Sequence, residues 1–233
     1  MIPEKNYCVV IVAGGKGLRA GKALPKQFLP LNGKPLLMHT LCAFHECDYR
    51  LRIITVLPEG FLSYWQQLCR EHLFSVPHEM VVGGETRFHS VKNGLNLVAD
   101  DAIVAIHDGA RPFVSPELIA RCFDTAFEYR CGVIPVVKEV NTVRQLTENG
   151  SRILNRESLR IVQTPQVFPA DKLKAAYETD FMPKFTDDAS VAEHAGNHIE
   201  LVDGDPVNIK ITTPLDFTLA ECYSQSLKKR GFF

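Results

Sequence analysis

Tyr7-Cys8-Val9-Val10-Ile11-Val12-Ala13-Gly14-Gly15-Lys16-Gly17-Leu18-Arg19-Ala20-Gly21-Lys22-Ala23-Leu24-Pro25-Lys26-Gln27-Phe28 is a short apolar run that gives way to a glycine-rich, basic loop. The run has the composition and length of a strand covered on both faces, which places the loop at the end of a buried strand. Gly14, Gly15 and Gly17 lack a Cβ, so the backbone can turn sharply and aim several N–H donors at one anion. Lys16, Arg19, Lys22 and Lys26 supply positive charge beside it. Such a loop holds phosphate; a plain glycine turn with solvated lysines is the alternative that other parts of the chain must exclude.

Three phosphate chemistries use loops of this kind. A P-loop requires Lys-Ser or Lys-Thr at the end of its glycine frame, and neither pair is present. A dinucleotide fingerprint matches Gly15-x-Gly17-x-x-Ala20, but it needs an immediate helix and an acid about 20 residues on. Pro25 and Pro30 oppose that helix, and no acid stands at Met38 to Leu41. The third reading is a nucleotidyltransferase loop, in which Gly-Gly-x-Gly-x-Arg followed by Pro-Lys wraps a nucleoside triphosphate.

Further apolar runs of strand length fall at 51–57, 102–107, 131–137 and 206–211, alternating with helically spaced segments at 35–46, 60–73, 86–98, 116–129 and 214–227. Ser115-Pro116-Glu117 and Thr213-Pro214-Leu215-Asp216 each set a hydroxyl N-cap before a first-turn proline and an acid. The alternation predicts an α/β fold with a mostly parallel, helix-covered sheet. Residues 138–160 interrupt it: Asn149-Gly150 between short strand-like stretches signals a hairpin, expected around Val143 to Leu154. Its apolar Val143, Leu146, Ile153 and Leu154 have little chain nearby to cover them, so the arm either pairs with a second copy or folds onto its own domain.

Bulk properties narrow the function classes. A formal charge of −1 argues against general nucleic-acid or membrane affinity. Seven cysteines without a Cys-x-x-Cys pair describe reduced thiols rather than a disulfide framework or zinc site. With no membrane-length apolar stretch and no signal segment, the expected location is the cytoplasm. His194 and His198 are spaced for a metal, but Gly196-Asn197 weakens the helix that would align them.

In an open parallel sheet, ligands bind beyond the carboxyl ends of the strands. Four segments stand there. His107-Asp108-Gly109-Ala110-Arg111-Pro112 offers an acid that can share Mg²⁺ with substrate phosphates. Gly83-Gly84-Glu85-Thr86-Arg87-Phe88-His89-Ser90 lets backbone approach a flat ring, with Ser90 able to bond a base edge. Asn208-Ile209-Lys210 places a lysine near an expected strand end, within reach of phosphate. The fourth is the opening loop itself.

Taken together these segments, with Thr164-Pro165-Gln166 and Thr186-Asp187-Asp188-Ala189-Ser190, resemble the 2-C-methyl-D-erythritol 4-phosphate cytidylyltransferase family, in order and along nearly the whole chain. The resemblance implies one Rossmann-like domain over 1–233, dimeric through the hairpin arm, that joins CTP to methylerythritol phosphate with Mg²⁺ and releases pyrophosphate. It implies that Arg19, Lys26 and Lys210 serve the reacting phosphates, and that Ala13, Gly14, Gly15, Gly17, Gly83, Ser90 and Gly109 surround the nucleotide. Asp108 would hold the metal. The acceptor phosphate compound would meet Asp108, Arg111, Thr142, Thr164, Thr186 and Lys210, with Arg156 arriving from the neighbouring subunit. The chain departs from the family at Val12, commonly proline, at Asn141, commonly aspartate, and at Arg144, commonly lysine. Ribitol-phosphate cytidylyltransferases share nearly all the phosphate-binding parts, and a non-catalytic CTP-binding regulatory module is the alternative from another class. That module should have lost Lys26, Asp108 or Lys210, and all three are present.

Overall fold

The opening run is the centre of the sheet. The computed structural model describes residues 6–15, 24–47 and 50–229. In it Tyr7–Val12 forms β1; a short hairpin follows, β2 (Pro30–Leu31) and β3 (Lys34–Pro35), then α1 (Leu36–Cys47), β4 (Arg52–Leu57), α2 (Leu62–Glu71), β5 (Glu79–Val82) and α3 (Arg87–Leu95). Next come β6 (Ile103–Asp108), α4 (Pro116–Tyr129), β7 (Gly132–Lys138), the arm strands β8 (Arg144–Thr147) and β9 (Gly150–Ile153), β10 (Arg160–Val162) and β11 (Gln166–Pro169). The chain ends with α5 (Ala170–Ala176), α6 (Asp188–His194), β12 (Ile199–Asp203) and α7 (Pro214–Lys229).

β1 pairs in parallel with β4 on one side and β6 on the other, with Val12 opposite both Val56 and Asp108. That register sets the glycine loop, which starts at Ala13, beside Asp108. β5 extends the parallel sheet beyond β4, and β12 lies parallel to β7. β10 pairs antiparallel with the outer part of β7, and after the cis Thr164–Pro165 bond β11 runs antiparallel between β6 and β7.

Alternation along β1 explains why the strand is apolar throughout. Val9 and Ile11 pack with Leu37, Met38, Phe44, Trp65, Leu118 and Phe123 under α1, α2 and α4. Cys8 and Val10 face the other way, into Phe88, Val91, Leu95, Leu173 and Tyr177 under α3 and α5. Helices therefore cover both faces, as the sequence predicts. Gly94 lets α3 settle onto the sheet: a Cβ there would lie 2.5 Å from Val10 Cγ1. Ser115 caps α4 by accepting from Leu118 N at 3.2 Å, with Pro116 in the first turn, and Thr213 accepts from Asp216 N at the start of α7.

Two expectations change. Residues 206–211 form no strand: Asn208 N bonds Asp205 O and Ile209 N bonds Val207 O, so the segment curls, and only Ile211 N reaches across to Ala110 O. Pro206 has no N–H to give a ladder. The strand in this region is instead β12, and α5, α6, β10 and β11 were not anticipated. β8 and β9 pair as a hairpin within the expected residues, but its two-residue loop is Glu148-Asn149, with Gly150 opening β9 at φ +138°. Among the described residues, no helix is long and apolar enough to cross a membrane.

Candidate active site

Two adjoining clefts open at the carboxyl ends of the parallel strands. The first, with about 850 Å³ of empty space, is lined by Ala13, Gly14, Gly15, Lys26, Gln27, Gly84, Glu85, Thr86, Ser90 and Gly109. The second, about 580 Å³, is lined by Arg111, Gln163, Thr164, Gln166, Thr186 and Asp187. Arg87, Asp108 and Lys210 line both, and so form the wall between them.

The first cleft is built from backbone held in place by its own strands. Ala13 N bonds Val56 O, Gly83 N bonds Leu57 O and Gly109 N bonds Val12 O, so these three N–H groups stabilise the frame and are committed within the protein. Gln27 Nε2 donates to Ala13 O at 2.6 Å and to Gly15 O at 3.2 Å, fixing the start of the loop. Gly14 and Gly83 touch: a Cβ on Gly14 would meet Ser90 Oγ at 2.9 Å, and one on Gly83 would meet Gly14 Cα at 3.3 Å. Gly83 thus supports the wall from behind, while Gly84 faces the cleft and gives its N–H to Ser90 Oγ. Lys26 Nζ donates to Ile211 O at 2.7 Å, which draws the basic loop toward the Lys210 segment. Gly17 and Arg19 lie outside the described residues.

The dividing wall is electrostatic. Asp108 Oδ2 is 2.9 Å from Lys210 Nζ and 3.3 Å from Arg111 Nε, and its Oδ1 is 3.5 Å from Arg87 Nε. Burial alone would raise the Asp108 pKa, but Arg87, Lys210 and Arg111 hold it well below the usual carboxylate range. Three cations face two carboxylates, Asp108 and, behind Arg87, Asp188, so the cluster where the clefts meet keeps a net positive charge. Arg87 is itself anchored by a fully buried acid, donating to Asp188 at 3.0 and 2.7 Å, and Tyr177 OH donates to the same carboxylate at 2.7 Å.

The second cleft rests on α6 and the β10–β11 interruption. Asp187 caps α6 and Gln166 Oε1 accepts from Asp188 N and Ala189 N, so this helix start is closed by the chain's own side chains. Thr164 Oγ1 accepts from Asp108 N at 3.1 Å and lies 3.0 Å from His107 Nδ1; His107 Nε2 faces Arg111 O at 3.1 Å. Burial pushes the His107 pKa down to about 3, so its ring is neutral.

The structure therefore brings together Ala13, Gly14, Gly15, Lys26, Ser90, Asp108, Gly109, Arg111, Thr164, Thr186 and Lys210. It does not bring Thr142 or Arg156 to either cleft: both are exposed at the base of the arm, where Arg156 donates to Val140 O. Sequence reasoning gave no role to Arg87, Asp188, Gln27 or Gln166. The available signal was Asp187-Asp188 in tandem: one acid caps a helix, leaving the second to turn inward and need a cation.

Glycine-floored space for a polyphosphate, joined through a cationic wall to a second polar cleft, defines an α/β nucleotidyltransferase. A family model described as 2-C-methyl-D-erythritol 4-phosphate cytidylyltransferase matches residues 7–226. The protein of that name from Bacteroides fragilis is 59% identical over 91% of this chain and 96% of its own length, and that from Bacteroides thetaiotaomicron is 56% identical with the same coverage. Among solved structures, the 4-diphosphocytidyl-2C-methyl-D-erythritol synthase from Anaerococcus prevotii superposes with a TM-score of 0.80 at 27% identity, covering 95% of this chain and 96% of that one. The chain belongs to the 2-C-methyl-D-erythritol 4-phosphate cytidylyltransferase family.

Proposed function

We propose that this chain joins CTP to 2-C-methyl-D-erythritol 4-phosphate, giving 4-diphosphocytidyl-2-C-methyl-D-erythritol and pyrophosphate, a step of non-mevalonate isoprenoid synthesis. The observation that carries the reading is the wall of Arg87, Asp108 and Lys210 between the two clefts, where an acceptor phosphate and the α-phosphate of CTP would face each other. The acceptor's phosphate oxygen attacks α-phosphorus, the bond to the bridging oxygen breaks and pyrophosphate leaves. That oxygen is already ionised near neutral pH, so no protein base is required; the protein aligns two anions and offsets their repulsion.

Gly14, Gly15 and Gly17, with Arg19 and Lys26, receive the triphosphate, while Ser90 and the Gly83–Gly84 junction address cytosine, with Ala13 and Gly109 completing the surround. Arg111, Thr164, Thr186 and Lys210 receive the acceptor. Among the described residues the cation nearest Asp108 Oδ1 is Arg87, at 3.5 Å and beyond a short hydrogen bond, so that oxygen retains capacity for a metal ion. Among the described residues no three His, Cys, Asp or Glu side chains form a metal cluster, which suits Mg²⁺ that shares one carboxylate with substrate phosphates. Bound there, Mg²⁺ would neutralise triphosphate charge. The exposed apolar Val140 (75%), Leu146 (84%) and Ile153 (65%) of the arm support a homodimer, in which Arg156 and Thr142 would reach the partner's acceptor cleft. All seven cysteines are free thiols, in keeping with work in a reducing cytoplasm.

The test is pyrophosphate release from CTP and Mg²⁺ with methylerythritol phosphate or ribitol 5-phosphate as acceptor. Preference for methylerythritol phosphate is expected. Preference for ribitol 5-phosphate would reassign the acceptor, and CTP binding without release from any polyol phosphate would make the protein a regulatory module.

A further inference from the structure

We propose that His107 fixes the hydrogen-bond polarity of Thr164, making Thr164 an acceptor for a hydroxyl group of the second substrate and barring it from donating to that substrate's phosphate. The inference rests on the cytidylyltransferase reading above and concerns how its acceptor cleft selects a polyol.

The argument is one of donors and acceptors. His107 is fully buried, and its hydrogen-bond partners among the described residues, Arg111 O and the Thr164 hydroxyl, include no carboxylate to hold a second ring proton, so the ring carries one N–H. Its Nε2 faces the carbonyl oxygen of Arg111 at 3.1 Å, which can only accept; the ring hydrogen is therefore on Nε2. Nδ1 is left as an acceptor, and the group 3.0 Å from it is the Thr164 hydroxyl, which must donate. A hydroxyl has one hydrogen and two lone pairs. The hydrogen goes to His107, one lone pair receives Asp108 N–H at 3.1 Å, and one lone pair remains on a residue that lines the second cleft. A phosphate dianion presents acceptors, which that lone pair repels. An alcohol can donate into it. The acceptor's phosphate is thereby directed to the cations, Arg111 and Lys210, and a carbon-borne hydroxyl to Thr164. His107 acts through Thr164 and is a positioning residue.

Two variants of the ring separate its two bonds. His107→Asn can set its amide oxygen where Nδ1 stood and still receive the Thr164 hydrogen. His107→Gln can reach Arg111 O but leaves that hydrogen undirected. Pyrophosphate release is first measured for the unaltered protein with CTP and methylerythritol phosphate, and then with an acceptor analogue in which one hydroxyl is replaced by hydrogen. Thr164→Val should raise KM for the acceptor about tenfold while KM for CTP stays within about twofold, and Thr164→Ser should restore it. For one deoxy analogue, the discrimination shown by the unaltered protein should vanish in Thr164→Val, because the lone pair that receives that hydroxyl is then gone whichever acceptor is bound. His107→Gln should copy Thr164→Val, His107→Asn should not, and the His107→Gln, Thr164→Val pair should be no worse than Thr164→Val alone. Equal discrimination against every deoxy analogue before and after Thr164→Val would overturn the proposal. So would parallel losses in both KM values for both His107 variants, which is the mark of a structural role only. If the unaltered protein released no pyrophosphate with any acceptor, the function reading itself would fall; release with unchanged Thr164→Val kinetics would remove only this inference. Should the His107 variants fail to fold, the Thr164 series decides alone.

Discussion

The two clefts that meet at Asp108 are made of different material. The first cleft has a main-chain portion, Ala13 to Gly15, Gly84 and Gly109, beside polar side chains, and Ala13 and Gly109 are held by hydrogen bonds to neighbouring parallel strands. On the acceptor side the surface is side chain: Arg111, Gln163, Thr164, Gln166, Thr186 and Asp187, carried by antiparallel β11, the bend before it and the start of α6. Main chain can be altered only by disturbing the sheet, whereas side chains can be exchanged one at a time. The first cleft therefore suits a ligand common to many enzymes, a nucleoside triphosphate, and the second is where choice of acceptor can change without loss of the nucleotide site.

The difference can be tested by separate injuries. Asp188→Ala leaves Arg87 without its buried partner and should cost about 3–5 kcal/mol in stability, read by urea unfolding. A loss below about 1 kcal/mol would show that the wall is not held from the acceptor side. Lys26→Ala, and equally Arg19→Ala, should lower kcat a hundredfold or more, about 3 kcal/mol of transition-state stabilisation; near-normal turnover in either would sink that assignment. Gly14→Ala pushes a methyl group against Ser90 Oγ and should weaken CTP binding about tenfold, a cost within the 1–3 kcal/mol typical of overpacking, with KM for the acceptor unchanged. An equal effect on both substrates would show that the clefts are one site.

The most gradual effect is spread over pH. His107 has a folded pKa of about 3 against an ordinary 6.5, so between those values the unfolded chain binds the extra proton. The His107 contribution to stability is full above pH 6.5 and falls as the pH drops, by at most about 1.4 kcal/mol per pH unit. His78, lowered by burial, acts in the same sense, and Asp108 adds to the loss below its ordinary 3.8. Denaturant unfolding from pH 7 to 4 should show the decline, shallower in His107→Asn.

The strands and loop starts of the first cleft were legible because their determinants are local. A strand buried on both faces is a continuous apolar run, as in Tyr7–Val12 and Ile103–Asp108, and the ligand loop follows directly. Ser115 and Thr213 announced their helices through capping chemistry. The acceptor half was not legible in this way, because α6 and β11 are short and their pairings are distant in sequence. Gln166 serves as a cap for a helix 22 residues away, a relation no periodicity reveals. The run at 206–211 misled because apolar composition records burial, and Asn208 and Ile211 are buried without belonging to a ladder.

One contact also bears on how the enzyme comes into being. Lys26 is tied to the carbonyl of Ile211, 185 residues later, and Ile211 in turn bonds Ala110. At ~5–20 residues per second of synthesis, the lysine waits about 10–40 s for its partner. The nascent chain can assemble its central strands in that interval, yet Lys26 cannot reach its final arrangement until Ile211 has been made. The strand that leads into the glycine loop is thus among the first parts of the sheet to be made, and the carbonyl that holds its loop's lysine is among the last of the groups described around it.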